Sequence, residues 1–430
     1  MRGKTPIRAI GTITLLLTSC AAAAASQSSV PPAIETSVNE ATTSSTLPVS
    51  TIVSQPITDV QAAFPARLAT INKDGHVATF SPNASPVVTE GVMAPTGQVA
   101  VSAAIRSGRT TVEWHDLRTD VISASIQIDG EFRPSAVAQD GKLVALINST
   151  ATTTTVVLAT PSQGEVRRWT FDSVVVPEAF ANAFESTGAG LPIGVFVIEY
   201  LAAHTYRVRV IDTATGELGL PLSLRDKSQT VDEVMTAVSR TAVFDPVDQL
   251  LFTLYQDASE GGENIGSFIH TLGLINGVWC LDVPAELGLA DHPGALAVAP
   301  DGSRLYAASA IGGLAGYVVS DITNDGPEMP KARTVVSLGA SAERVAVGAS
   351  DTEVVVALGG SLFRLDPVTL AVRDAFTWDM DVEALTVLDN GSIVIVGTGR
   401  MTLVSPDDQI LAERILPSAE GEVTRVAVVG

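Results

Sequence analysis

The sequence predicts an all-β fold in which one antiparallel four-stranded unit is repeated around an axis. Three observations predict it. Two short apolar strands joined by a glycine-bearing turn recur at intervals of about 40 to 50 residues, the spacing of repeat architectures. Each pair runs on into a third strand and a more polar fourth. The two ends of the repeating region carry incomplete units that complement one another.

In chain order, the first segment stands outside that fold. Arg2, Lys4 and Arg8 come with no acid and are followed by Ala9 to Leu17, an apolar run broken only by Gly11, Thr12 and Thr14. A basic stretch before a short apolar one is the pattern of a secretory leader. The run is far below the roughly 20 residues that cross a bilayer. It ends in Leu17-Thr18-Ser19-Cys20, where an ordinary leader has a small-x-small site. This resembles the lipobox of bacterial lipoproteins. The resemblance implies that residues 1–19 are a signal peptide, that Cys20 becomes the N-terminus and carries diacylglycerol and palmitate, and that the chain is held extracytoplasmically on the cell membrane.

Residues 20–60 open with Ala21 to Ala25 and continue in Ser, Thr, Pro, Gln and Val with no regular period. Such a composition buries too little apolar area to offset its ordering entropy. It predicts a disordered linker between anchor and folded domain, with hydroxyls open to glycans. Without the leader's three basic residues, 23 Lys and Arg face 47 Asp and Glu, a net of about −24. That balance argues against nucleic acid and against anionic lipid surfaces, both of which need a basic face. Of the two cysteines, Cys280 has no partner once Cys20 is lipidated. Its apolar setting, Val278-Trp279-Cys280-Leu281, suits a buried structural thiol.

The repeating unit is seen in Ala136-Val137-Ala138-Gln139-Asp140-Gly141 and again in Ala297-Val298-Ala299-Pro300-Asp301-Gly302. It recurs at Val92 to Gly97, at Ala242 to Asp245, at Val345 to Val347 and at Leu385 to Gly391. The glycines serve turns that need positive φ. Third strands end at a second turn, as in Arg207 to Gly216 and Leu362 to Thr369, and polar fourth strands follow, as in Val121 to Ile128 and Val166 to Phe171.

With these units in place the sequence resembles a β-propeller of the broad YVTN and WD-repeat type. Val298 to Tyr306 and Ile211 to Gly216 carry the likeness, which covers residues 65–430. Whole units start near residues 91, 133, 178, 238, 292, 343 and 382. Arg67 to Ile71, His76 to Phe80 and Pro86 to Thr89 lack an inner strand, and Val423 to Val429 is an inner strand with no continuation. Together they predict a split closing blade formed by both termini, which removes exposed edges. That makes eight blades of roughly 45 residues, with seven as the alternative.

Catalytic signatures such as Gly-x-Ser-x-Gly, a phosphate-binding glycine loop, His-Glu-x-x-His and Cys-x-x-Cys are absent. His76, His115, His204, His270 and His292 fall in five different units. The lead into each inner strand gives Thr89, Arg133, Glu178, Ser239, Gly294, Glu343, Glu383 and Thr424, with His292 two residues before Gly294. These positions predict a polar collar at one mouth of the channel. Arg133, Glu178, His292, Glu343 and Glu383 are its candidate ligands for a cation or a small polar molecule. Asp74, Asp140 and Asp301 each precede a glycine and read as turn formers. Arg167-Arg168-Trp169 reads as a solvated edge. Phe268 to Leu272 with Trp279 to Asp282 reads as an interruption of its blade, beside the loop from Asp257 to Asn264.

Two function classes follow. The first is a non-catalytic binding or scaffold lipoprotein, monomeric, without a cofactor, that presents a propeller face to an envelope protein or glycan and touches the membrane through its lipid alone. The second is a propeller hydrolase of the lactonase kind, with Ca or Mg held in the central channel by the collar. An eight-bladed lipoprotein is also similar in plan to the propeller subunit of outer-membrane assembly, whose tryptophan-docking pattern these repeats lack.

Overall fold

Hairpin tips set the geometry. Gly97, Gly141, Gly302 and Gly391 hold φ of 73°, 71°, 72° and 78°. Each donates its N–H to the carbonyl three residues earlier, on Ala94, Ala138, Ala299 and Leu388, at 2.8–2.9 Å. The residue before the last three is Asp140, Asp301 or Asn390, and its side-chain Oδ1 accepts the N–H two residues on. Asp140 and Asp301 are therefore turn formers. A side chain at Gly302 would have its Cβ 2.8 Å from Val247 and 2.9 Å from the Asp245 carboxylate.

The computed structural model describes residues 50–51, 67–72, 76–80, 87–181, 194–224, 229–237, 239–256, 267–274, 277–323, 330–416 and 423–429. Cys20, the expected leader, most of the expected linker, Asp74 and the loop from Asp257 to Asn264 lie outside them. The fold below belongs to the unit Ser44–Gly430.

The protein is all-β, a β-propeller. Its described strands group into eight sheets of four or five strands. Numbered in chain order, the second runs from Val92 to Asp129, the third from Arg133 to Phe171 and the fourth from Val174 to Gly219, with Met235–Thr236 added. The fifth runs from Ser239 to Asp282, the sixth from Gly294 to Ser337, the seventh from Val345 to Thr377 and the eighth from Val382 to Ile415. The first sheet takes its inner strand, Val423–Val429, from the C-terminal end. That strand pairs antiparallel with Arg67–Asn72, which leads to His76–Phe80 and Val87–Glu90.

Successive sheets pack face to face, and the core lies between them. Trp114 and Ile128 of the second sheet, with Phe132 just beyond it, meet Val144, Leu146 and Val157 of the third. Leu254, Ile269 and Leu281 of the fifth meet Leu305 and Tyr317 of the sixth. Val394, Val396 and Leu403 of the eighth meet Leu68, Val423 and Val426 of the first. Ala69 and Val429 of the first meet Ala100 and Leu117 of the second. Aliphatic side chains on both faces of a sheet match the near-continuous apolar runs of the inner and middle strands.

Two expectations are corrected. The fourth unit begins at Val174, not near 178. Glu178 is an extra residue inside that strand, where the register slips between Pro177 and Ala179. Ser267–Gly273 and Gly277–Asp282 are the regular third and outer strands of the fifth sheet, so the segment is no interruption. Within the stretch expected to be a linker, Ser50 and Thr51 pair in parallel with Phe376 and Thr377, adding a strand to the outer edge of the seventh sheet. Leu222–Ser223 does the same on the fifth.

Candidate functional site

The collar positions sit at the start of inner strands, where β-bulges re-aim side chains. One extra residue is inserted at Ser135, Glu178, Glu383 and Thr424. Ser135 donates its hydroxyl to the Pro177 carbonyl of the next inner strand at 2.8 Å. Glu383 accepts the Val423 N–H at 3.0 Å, and Arg344 lies 3.8 Å from its other oxygen. Thr424 donates to the Ile71 carbonyl. These polar groups bridge one strand to another where the inner ladder is irregular.

The predicted ligands therefore divide. Glu383 is largely buried and bound to its neighbours, and Glu178 is half-buried within its strand. Arg133 is exposed as the first residue of its strand, and Glu343 and His292 are exposed just before theirs. The main chain at His292 is fixed by Gln256, whose amide Nε2 donates to the carbonyls of Leu289 and His292. Among the described residues, no three His, Cys, Asp or Glu side chains gather into a metal-holding group. The side chains of Thr89 and Ser239 lie outside the description.

Ser135, Arg344 and Gln256 escaped the sequence reading. Ser135 stands two residues beyond the position the seven-residue spacing selects in its unit. Arg344 and Gln256 meet partners 39 and 36 residues away, a separation that no local pattern announces. His115 and His270 stand apart from these positions. His115 shares a 2.8 Å hydrogen bond with Ser102 and is held below the usual imidazole range by burial, which outweighs Glu113. His270 is buried in the fifth sheet. On the third sheet's edge, Arg168 pairs with Glu165 and lies over the Phe132 ring at 5.1 Å, and Arg167 donates to the Thr213 carbonyl. Trp169 packs into the core. This edge is bound to its own fold.

One tip carboxyl is strained electrostatically. Asp245 is 0 % exposed, accepts the Val247 and Asp248 N–H groups through Oδ1, and leaves Oδ2 without a partner. Burial, with Asp248 and Asp301 nearby, holds its pKa above the ordinary value despite those hydrogen bonds. The folded chain thus binds this proton more tightly than the unfolded one. The contribution is greatest at low pH and is lost as pH rises through the raised value. Asp245→Asn keeps the acceptor and removes the charge, so it should raise the urea midpoint at pH 7 and change it less at pH 4. An unchanged or lower midpoint at pH 7 would count against this account.

No family model matches the chain, and no curated protein matches it. Among solved structures it is similar to Sqt1 of Saccharomyces cerevisiae at 11% identity and a TM-score of 0.47, over 75% of this chain and 84% of that one. It is similar to BamB of Moraxella catarrhalis at 17% identity and a TM-score of 0.45, over 78% and 90%. It is similar to the dihydro-heme d1 dehydrogenase NirN at 13% identity and a TM-score of 0.46, over 90% and 78%. All three TM-scores lie below 0.5, and these likenesses assign no activity, partner or location to this chain.

Proposed function

We propose that the chain is an exported lipoprotein, anchored through Cys20 to the outer side of the cell membrane, whose propeller is a non-catalytic binding or scaffold module for an envelope protein or glycan. The observation that carries this reading is the division of labour along the chain. A basic and apolar leader ends in Leu17-Thr18-Ser19-Cys20, a Ser/Thr-rich stretch follows, and then comes one propeller in which the collar carboxylate Glu383 joins two inner strands. A net acidic chain with short hairpin tips suits a partner met through polar contacts.

The hydrolase reading keeps one specific support, the exposure of Arg133, His292 and Glu343 at the starts of inner strands. Two measurements separate the readings. In cells, Cys20→Ser should abolish incorporation of labelled palmitate and release the chain from the membrane fraction. Retention of both would overturn the anchor. In solution, calorimetric titration of Ca²⁺, Mg²⁺ and Zn²⁺ into the Cys20→Ser chain should give no stoichiometric heat. Binding that Glu343→Gln removes would replace the scaffold reading with the hydrolase one.

A further inference from the structure

The interface between the fourth and fifth sheets brings tyrosine rings together with a histidine and a cysteine. Thr253, His270 and Cys280 stand directly opposite one another on three adjacent strands of the fifth sheet, so their side chains share a face. Tyr255 lies beside them, 6.3 Å from the His270 ring, and stacks on Phe268 at 5.3 Å. Tyr206 of the fourth sheet closes over Tyr255 at 5.2 Å. Its buried hydroxyl finds no hydrogen-bond partner, and burial pushes its pKa far up. His270 is 3 % exposed with no hydrogen bond to either ring nitrogen among the described residues, and Cys280 is 8 % exposed.

A buried imidazole needs a hydrogen-bond or metal partner to offset its lost hydration, and the residue that His270 faces across the ladder is a buried thiol. We propose that Cys280 and His270 form a two-coordinate site for a soft monovalent metal ion of the copper(I) class. Cross-strand neighbours place their Cβ atoms about 4.5–5.5 Å apart. At that separation the Cys280 sulfur and an imidazole nitrogen of His270 can be set roughly 4 Å apart by their side-chain rotamers, the span of a sulfur–metal–nitrogen unit with bonds near those of zinc.

Charge selects the ion. On binding, the Cys280 S–H bond breaks, its proton leaves to solvent, and sulfur–metal and nitrogen–metal bonds form with no change in oxidation state. Thiolate and monovalent cation cancel, so no net charge is left among the tyrosine rings. A divalent ion would leave one positive charge there, at a heavy desolvation cost, and would lack the third and fourth ligands it needs, since no three-ligand group exists among the described residues. Thiolate and imidazole are both suited to copper, and thiolate favours its monovalent state.

The test uses the full chain with Cys20→Ser throughout, which leaves Cys280 as its one thiol. Copper(I) is supplied anaerobically as its bicinchoninate complex, and its withdrawal is read from the loss of the complex's colour. One equivalent should transfer. Cys280→Ser should abolish transfer, and His270→Leu should weaken it at least tenfold, each with an unchanged near-ultraviolet circular dichroism spectrum. The copper-edge absorption spectrum of the Cys20→Ser chain with copper bound, which does not depend on how the variants fold, should show one sulfur and one nitrogen neighbour. No transfer, transfer indifferent to His270→Leu in the folded variant, or a sulfur-only copper environment would overturn the site.

Discussion

Deleting residues 423–430 should abolish cooperative unfolding of the whole domain. Val423, Val426 and Val429 are buried, the first two against the eighth sheet and the last against the second. Each is worth about 1.5–3 kcal/mol of burial. The strand also pairs with Arg67–Asn72 along its length and satisfies Glu383 through the Val423 N–H. Their sum reaches the 5–15 kcal/mol on which a typical domain rests. Urea denaturation followed by circular dichroism should change from one sharp transition to a broad, early one. A synthetic peptide of residues 423–430 added in excess should restore part of the midpoint. A truncated chain that melts like the intact one would mean the other sheets hold together without this strand.

The second large effect is expected at Arg364, on the third strand of the seventh sheet. It is 6 % exposed and grips Glu353, itself 9 % exposed, at 2.8 and 2.9 Å. It also donates to Asp408 at 3.1 Å and to the carbonyls of Ser405 and Gly391 in the eighth sheet. Removing one member of a buried ionic network costs about 3–5 kcal/mol, because the others stay buried without compensation. Arg364→Ala should lower stability by that amount. Burial already holds the Asp408 pKa above its usual value against the pull of Arg364. Losing the guanidinium raises it further, so the deficit of the variant should shrink as pH falls. The double variant Arg364→Met with Glu353→Leu should recover the part of the loss that comes from Glu353, leaving Asp408 as the remaining uncompensated carboxylate. A double variant no better than the single one would locate the cost in packing.

The inner hairpins were legible because a tight turn leaves a chemical trace: Asp140-Gly141, Asp301-Gly302 and Asn390-Gly391 name their own geometry. The complementary ends were legible for a related reason, since an orphan inner strand and three strands without one fit together. Glu178 misled because a bulge adds a residue without altering the apolar pattern, so counting back from a turn lands inside the strand. The added strands Ser50–Thr51 and Leu222–Ser223 are two residues each, too short for a period. The Arg364 network was invisible because its partners lie 11 and 44 residues away. Of the candidate site, Glu383 was found as a polar collar residue, but its role depends on Val423, 40 positions later.

The pairing of the chain's two ends also sets a clock. Ile71 and Thr424 are hydrogen-bonded across 353 residues, so Arg67–Asn72, the first strand of its sheet to be made, waits for the last. At about 5–20 residues per second of synthesis, that interval is roughly 20–70 s. During it the edge of Arg67–Asn72 is bare, and an unpaired strand edge is a template for misassociation. The first sheet is thereby the latest to mature, and its contact order places it among slow steps. Chaperone engagement should concentrate on nascent chains that end before residue 423 and fall away once the final strand has emerged.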